Sequence, residues 1–431
     1  MPIFTGRRDF LKSVVSASGL ALASRNLRAE QNAPRSVNSQ ITLGCIGLGI
    51  HGIGWNLEAF LKIPEARVLG VCDVFKSRQE EARAMVNTAY GNSDCAMYTD
   101  FREILRRDDI DAVVISTPDH WHVLMAVMAA RAGKDVFCEK PTLNVSQGKV
   151  LIEAIAKAGI VYQGGIEDRS VDQYYRIAEL ARNGRLGKVQ RILVTLPEGV
   201  VFPKENEAPI PEGFDYDLWL GPAPYTPYTP TKTGAQEWRN VWDYSGGKLT
   251  DWGAHLIDTA QVAIFEEHGG PLEIDGKGEF PKDAMSTTAT KYEIHYRYKN
   301  DVEMIVKSGG AGIRIEGSEG WIECPDWRAP LAASKPEILE AKITTEENKL
   351  WPKPPTEHVD FIQAVKNRTK PIYTPQDIHH LSTTMHLGNI SMRLGRKLIW
   401  DPASGQIAND EEATALLTCP MRAPWTFDAP A

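Results

Sequence analysis

Several features that would place a chain quickly are missing from this one. Its 431 residues hold six cysteines and no C-x-x-C pair, so no disulfide framework is expected. Cys45, Cys72 and Cys138 lie in apolar stretches and read as small buried hydrophobes. No run approaches the roughly 20 apolar residues needed to span a bilayer. Basic residues are not in excess: the formal charge of −8 argues against nucleic acid or an anionic membrane surface as the main partner. There is no internal repeat and no low-complexity tract. What remains is an ordinary soluble composition, 42% hydrophobic and 24% charged, in a chain long enough for two domains.

The N-terminus stands apart. Arg7 and Arg8 open RRDFLK, and the short, weakly apolar run SVVSASGLALAS follows. This reads as a twin-arginine export signal over residues 1–29, with plausible cleavage after Ala23 or Ala29, and a polar linker over residues 30–40. The leader carries five basic residues and one acidic one, so its removal takes the charge from −8 to −12. A periplasmic location is expected, with no membrane insertion once the signal is gone.

The stretch Ile41–Gly52, ITLGCIGLGIHG, organises the first domain. A short, branched apolar run suits a strand buried on both faces. Gly47, Gly49 and Gly52 follow in G-x-G-x-x-G spacing, and a helix-like run comes next. Such glycines let the backbone turn tightly and approach a pyrophosphate at the helix N-terminus. A second strand, ARVLGVCD, ends at Asp73, a carboxylate placed for the ribose of an adenosine. Strand and helix then alternate to about Gly165, which predicts a doubly wound parallel sheet, a Rossmann domain over residues 41–165. After a proline-rich loop, Pro197–Ala235, and a helix over Lys248–Phe265, several alternating segments predict an α+β domain over residues 166–400. Its sheet is expected to be large, open and mostly antiparallel. Residues 401–431 read as a C-terminal extension.

Three motifs carry chemistry. TPDHWH, from Thr117 to His122, stands where a strand meets the crevice. His120 and His122 are two apart, but no third ligand is near in sequence, and no metal is expected. CEKP ends the next strand, so Lys140 faces the same crevice, where its ammonium can polarise a carbonyl or stabilise an alkoxide. In YSGGKLTDWGAHLID, helical spacing puts Asp251, His255 and Asp258 on one face. His255 can exchange a hydroxyl proton, and Asp251 can fix its tautomer. Trp219, Trp238, Trp242 and Trp252 cluster around the loop and this helix, with flat faces suited to sugar rings or to a core.

Together, GLGIHG, TPDHWH, CEKP, YDLWLGPAPYTPY and GGKLTDWGAHLID resemble the glucose–fructose oxidoreductase/inositol dehydrogenase (Gfo/Idh/MocA) family, most of all its exported branch. The resemblance implies Lys140, Asp251 and His255 as catalytic residues. It implies Gly47, Gly49, His51, Gly52, Asp73, Thr117, Pro118, His120, His122 and Glu139 at the cofactor, with Arg169, Trp252 and Asp258 toward substrate. NAD is favoured by Asp73, while Lys76 and Arg78 leave NADP open. The chain departs from the family pattern at GGIEDRS, where Glu167 and Asp168 add acid near the pocket. The expected activity is hydride transfer at a hydroxyl carbon of a sugar, polyol or sugar derivative by a homodimer or homotetramer that holds its cofactor tightly. A redox-neutral NAD-dependent glycosidase and a non-catalytic sugar-binding protein are the alternatives.

Overall fold

The computed structural model describes residues 40–264, 269–299 and 301–428. The expected leader, all but the last linker residue, and Phe265 at the end of the expected helix lie outside them.

Six strands form the first sheet: β1 (Ile41–Ile46), β2 (Ala66–Cys72), β3 (Ala96–Tyr98), β4 (Ala112–Ile115), β5 (Asp135–Glu139) and β6 (Tyr162–Gly165). All pair in parallel, in the order β3-β2-β1-β4-β5-β6. The order reverses between β1 and β4, so a crevice opens beyond their C-terminal ends. Helices cover both faces, which is why β4 is buried at every residue. Local signals set the helix ends. Asn144 accepts the Gln147 amide to start Val145–Ala158, and Gly159 stops it at φ 68°.

The glycine loop differs from expectation in one respect. Beyond His51 the chain makes a wide π-type turn, Gly52–Leu57, before a short regular helix, Glu58–Leu61. Gly47 has φ +86° and abuts the Ser116 backbone, and a Cβ on Gly52 would meet the Gly47 carbonyl oxygen at 2.1 Å.

The second sheet has nine strands: β7 (Val189–Leu196), β8 (Glu273–Glu279), β9 (Lys291–Arg297), β10 (Glu303–Ser308), β11 (Gly312–Gly317), β12 (Gly320–Cys324), β13 (Ala332–Ala333), β14 (Leu398–Asp401) and β15 (Gln406–Ile407). Their order is β13-β12-β11-β7-β10-β9-β8-β14-β15, antiparallel except for the β7–β10 pair. Along β9, Tyr292, Ile294 and Tyr296 point into the core while Lys291, Glu293 and Arg297 face outward. Helices Gly253–Ile264 and Pro375–Leu394 pack on the inner face.

The two domains are less separate than the sequence suggests. Helix Glu357–Asn367, late in the chain, sends Phe361, Ile362 and Val365 into the core of the first sheet beside Leu43, Phe60 and Phe137. The expected C-terminal extension also docks there: Trp425 meets Trp121 edge-on at 4.7 Å, and Arg102 lies over it. The long loop returns as well. The Lys76 amide donates to Gly213, the Asp215 amide donates to Val74, and Phe214 stacks on Phe75 at 3.8 Å. It forms an ordered strap across the crevice.

A methyl group at Gly52 has nowhere to go, whereas Gly54 has nothing within 4 Å. Gly52→Ala should cost about 2 kcal/mol or more in denaturant unfolding, and Gly54→Ala should be neutral or slightly stabilising. Equal effects from the two would show that the tight turn does not constrain the fold.

Candidate active site

A single cleft of about 360 Å³ runs from the glycine loop across the ends of β1, β4 and β5 to the inner side of the second domain. Gly47, Gly49, His51, Gly52 and Asp73 line one end, with Thr117, Pro118, His122 and Glu139 in the middle. Lys140, Asp251, Trp252 and His255 line the other. The first end fits a dinucleotide. Gly49 has only the tip of Arg78 nearby, and Thr117 Oγ1 is buried without a partner. The Asp73 carboxylate is held by the Leu48 amide at 2.6 Å and the Phe75 amide at 2.8 Å. Arg78 stands 4.0 Å from Asp73 and over the Phe75 ring. Thr233 of the strap, and Gln236 and Trp238 just after it, also line the cleft.

Lys140 leaves β5 and reaches Asp251, with Nζ 3.1 Å from its carbonyl and 3.5 Å from its carboxylate. Arg239 and Lys248 each approach the same carboxylate at 3.3 Å. Burial opposes ionisation of Asp251, yet Arg239, Lys140 and Lys248 hold it far below the usual carboxylate range. Burial likewise disfavours the Lys140 charge, and Asp251 and Glu139 more than compensate, so its pKa is raised. Lys140 is a fixed cation. Burial would also raise Glu139, but His51, at 3.0 Å, and Lys140 keep it below its ordinary value.

His255 takes a different partner from the one expected. The predicted helix is interrupted at Trp252, whose backbone stays right-handed, between Lys248–Asp251 and Gly253–Ile264; Asp251 and His255 line the cleft together, and Asp258 does not. His255 Nδ1 lies 2.7 Å from Asp168 Oδ2 and 3.7 Å from Glu167, while Asp251 is held by cations. Burial, then the Asp258 charge, pushes Asp168 well above the carboxylate range. Burial, then the Lys140 charge, pushes His255 down to about 4. Both shifts favour an uncharged pair with one proton shared between Asp168 and Nδ1. Glu167, Asp168 and His255 are also the one group of potential metal donors among the described residues, within 4.8 Å of one another.

Other expected residues lie elsewhere. Asp258 and Arg169 form a buried ion pair at 2.8 Å, closed by the Tyr373 hydroxyl and Asp377, and they border a second cavity outside the cleft. An arginine with its donors engaged in this way has none for substrate. His120 does not reach the cleft: its ring is buried against Tyr244 and bonded to the Trp219 carbonyl. His122 lines the cleft, but its two nitrogens face the Pro141 and Thr117 carbonyls at 2.9 and 2.8 Å, so it ties two loop ends together. Trp219 and Trp238 do line the cleft and belong to an aromatic cluster that includes Phe214 of the strap, whereas Trp242 packs on Arg393 and does not line the cleft. Missing from the sequence reading is Trp327, which meets both Trp252 and His255 at 5.1 Å.

With this geometry in view, comparison with known proteins is decisive. The description "Oxidoreductase family, NAD-binding Rossmann fold" matches residues 41–166, and "Oxidoreductase family, C-terminal alpha/beta domain" matches residues 202–427. The chain belongs to the Gfo/Idh/MocA oxidoreductase family. It is 35% identical over 153 residues to Glycosyl hydrolase family 109 protein 2 of Shewanella sp. (strain ANA-3), covering 31% of this chain and 33% of that one. It is 28% identical over 154 residues to myo-inositol 2-dehydrogenase of Thermotoga maritima, covering 36% and 44%. These alignments span less than half of either relative. Among solved structures, the aldose–aldose oxidoreductase of Caulobacter crescentus superposes with a TM-score of 0.60 at 18% identity, over 84% of this chain and 99% of that one, a likeness of fold.

Burial lowers His120, His255, His358, His379 and His386 each to about 4. An unfolded histidine takes its proton near pH 6.5, so unfolding takes up protons between pH 6.5 and about 4. Stability therefore falls as pH drops through that window. His386 bonds the Thr142 carbonyl at 2.7 Å. In His386→Gln, the slope of unfolding free energy against pH should become shallower by about 1.4 kcal/mol per pH unit, the share of one proton. An unchanged slope would mean that His386 is not held neutral.

Proposed function

We propose that this protein transfers hydride at a hydroxyl-bearing carbon of a sugar, polyol or sugar derivative, with a nicotinamide dinucleotide retained between turnovers. The meeting of Lys140, Asp251 and His255 in a cleft that begins at the glycine loop carries this reading. A nicotinamide, when bound, supplies the hydride acceptor and donor. Glycines 47, 49 and 52 would hold its pyrophosphate, and Asp73 its ribose. Asp73 favours NAD over the phosphorylated form.

Lys140, charged and fixed by Asp251, stabilises negative charge on the substrate oxygen. His255 handles the proton. Its Nε2 makes no bond among the described residues, while Nδ1 is tied to Asp168. When the Asp168–His255 pair has given up its Nε2 proton, the shared proton rests on Nδ1, Nδ1–H donates to the Asp168 carboxylate and Nε2 is free to accept the hydroxyl proton. When the pair is uncharged, Nε2 carries a proton to give back. Asp168 is thus the orienting partner and proton reservoir, and Asp251 the anchor of Lys140.

Retention of the cofactor is supported by the strap, which is tied to the residues just after Asp73 and lines the cleft with Thr233 and Gly234. The twin-arginine leader supports export and work in the periplasm, where released cofactor would not be replenished. A cycle that returns the nucleotide to its starting state answers both. One such cycle oxidises a first sugar and reduces a second. A second reading, favoured by the similarity to a glycosyl hydrolase family 109 protein, oxidises a ring hydroxyl, eliminates the glycosidic substituent, adds water and reduces again.

Mass spectrometry of the nucleotide released on denaturing the purified protein should find NAD near one per chain, and empty protein would defeat retention. Glycoside cleavage by dialysed enzyme without any acceptor supports the glycosidase, and a strict need for a second carbonyl compound supports sugar–sugar transfer. Lys140→Met should lower kcat by about 10²–10³-fold with nucleotide content intact. The pair also sets a pH signature. Hydroxyl oxidation should rise, and carbonyl reduction fall, as pH increases through one midpoint above the usual carboxylate range. Asp168→Asn should abolish that midpoint, and its survival would reassign the proton to another group.

A further inference from the structure

The late segment 416–428 takes no part in the chemistry above and lines no part of the cleft, yet two of its side chains grip residues that do. Arg422 is the first. Its amide donates to the Pro222 carbonyl at 2.8 Å, and its Nε donates to the Gly221 carbonyl at 2.9 Å. Nη1 reaches the Asp217 carboxylate at 2.6 Å, and Nη2 the Asp217 carbonyl at 2.8 Å. One guanidinium thus brackets the short strap helix Tyr216–Leu220, supplying donors to carbonyls at its end. Leu218 and Trp219 of that helix line the cleft.

Trp425 is the second. Its amide donates to the Arg422 carbonyl at 3.0 Å, which fixes the two residues relative to each other. Its buried ring meets Trp121 edge-on at 4.7 Å and lies 6.5 Å from Phe101, and both of those rings line the cleft. The facing surfaces are themselves joined. The Trp121 indole N–H donates to the Trp219 carbonyl at 3.1 Å. Gly221 has φ +48°, and a Cβ there would meet the Trp121 ring at 2.0 Å, so the strap backbone rests directly on that ring.

We propose that Arg422 and Trp425 form a clasp that holds the strap helix against Phe101 and Trp121 and so sets how fast a nicotinamide dinucleotide leaves the cleft. Both are positioning residues, since each acts through a neighbour that lines the cleft. The proposal rests on the reading of the cleft as a nucleotide site. The strap has two anchors on the first domain: the Phe214–Phe75 stack with its two backbone hydrogen bonds, and this joint. Bonds from a guanidinium are stronger than those between neutral amides, so the clasp is the firmer anchor. Two of its three side-chain bonds go to backbone carbonyls. The Asp217 side chain is 77% exposed, where water screens its attraction, so the grip does not depend on that carboxylate.

The test uses the full chain loaded with NADH, or with NADPH, and chased with excess oxidised nucleotide. Release is followed by the loss of bound-nucleotide fluorescence, beside thermal unfolding and amide hydrogen exchange over residues 216–223. Arg422→Ala should release the nucleotide about tenfold faster and speed exchange over 216–223, with the association rate within about threefold of wild type. Trp425→Ala should do the same, while Trp425→Phe and Asp217→Asn stay within about threefold. A merely structural role would lower the unfolding temperature and leave both release and strap exchange unchanged, and that result in Arg422→Ala overturns the clasp. Arg422→Ala decides alone if Trp425→Ala does not fold. Wild-type protein that binds neither nucleotide would defeat the nucleotide reading and the clasp with it, whereas binding with release unaffected by Arg422→Ala removes the clasp only.

Discussion

The contact between Lys140 and Asp251 is the constraint on which the rest depends. One residue follows the last strand residue of β5 in the first sheet and the other closes the short helix Lys248–Asp251 of the second domain, so their ion pair fixes one domain against the other. Charges this well buried are tolerated only when paired, and removal of one partner from such a pair typically costs about 3–5 kcal/mol. Asp251 gathers Arg239 and Lys248 as well, and both carboxylate oxygens are taken. The positive charge at the reactive end of the cleft is therefore part of the fold and not a mobile side chain recruited to it. Once Asp251 is so occupied, His255 must find another acid, and the E-D pair following β6 supplies it.

Much of the first domain was legible because its signals are local. Buried parallel strands read as apolar runs, helix ends carry Asn144 and Gly159, and the glycine spacing needs no tertiary knowledge. The strand-end positions of Lys140 and Thr117 follow from the same pattern. The second sheet was legible in outline through alternation, as β9 illustrates. The misreadings arose where local periodicity gave way to packing between distant segments. Periodicity over Lys248–Phe265 implied one shared task for three side chains, but Asp251 pairs with Lys140 and Asp258 with Arg169, partners brought up by distant segments. Nothing near Trp327 in the sequence indicates that a sheet turn carries it to a cleft formed mainly by other segments. Asp168 was noticeable as a departure from the family pattern, but its bond to His255 is a product of three-dimensional packing alone.

The strap shows the same logic at the opposite end of the cleft. Phe214 stacked on Phe75, with two backbone hydrogen bonds beside it, ties the second domain's loop to the residues just after Asp73. The cofactor end is thus shaped by both domains, as the reactive end is.

The insertion of helix Glu357–Asn367 into the first core has a consequence for how the chain matures. Phe361, Ile362 and Val365 pack into a groove against β1 and β6 and complete a core that Leu57 and Phe60 cover in part. During synthesis the N-terminal half leaves the ribosome with that groove open, and its apolar lining stays wetted until nearly the whole polypeptide has emerged. The core of the nucleotide-binding half is therefore complete only once residues 357–367 have been made.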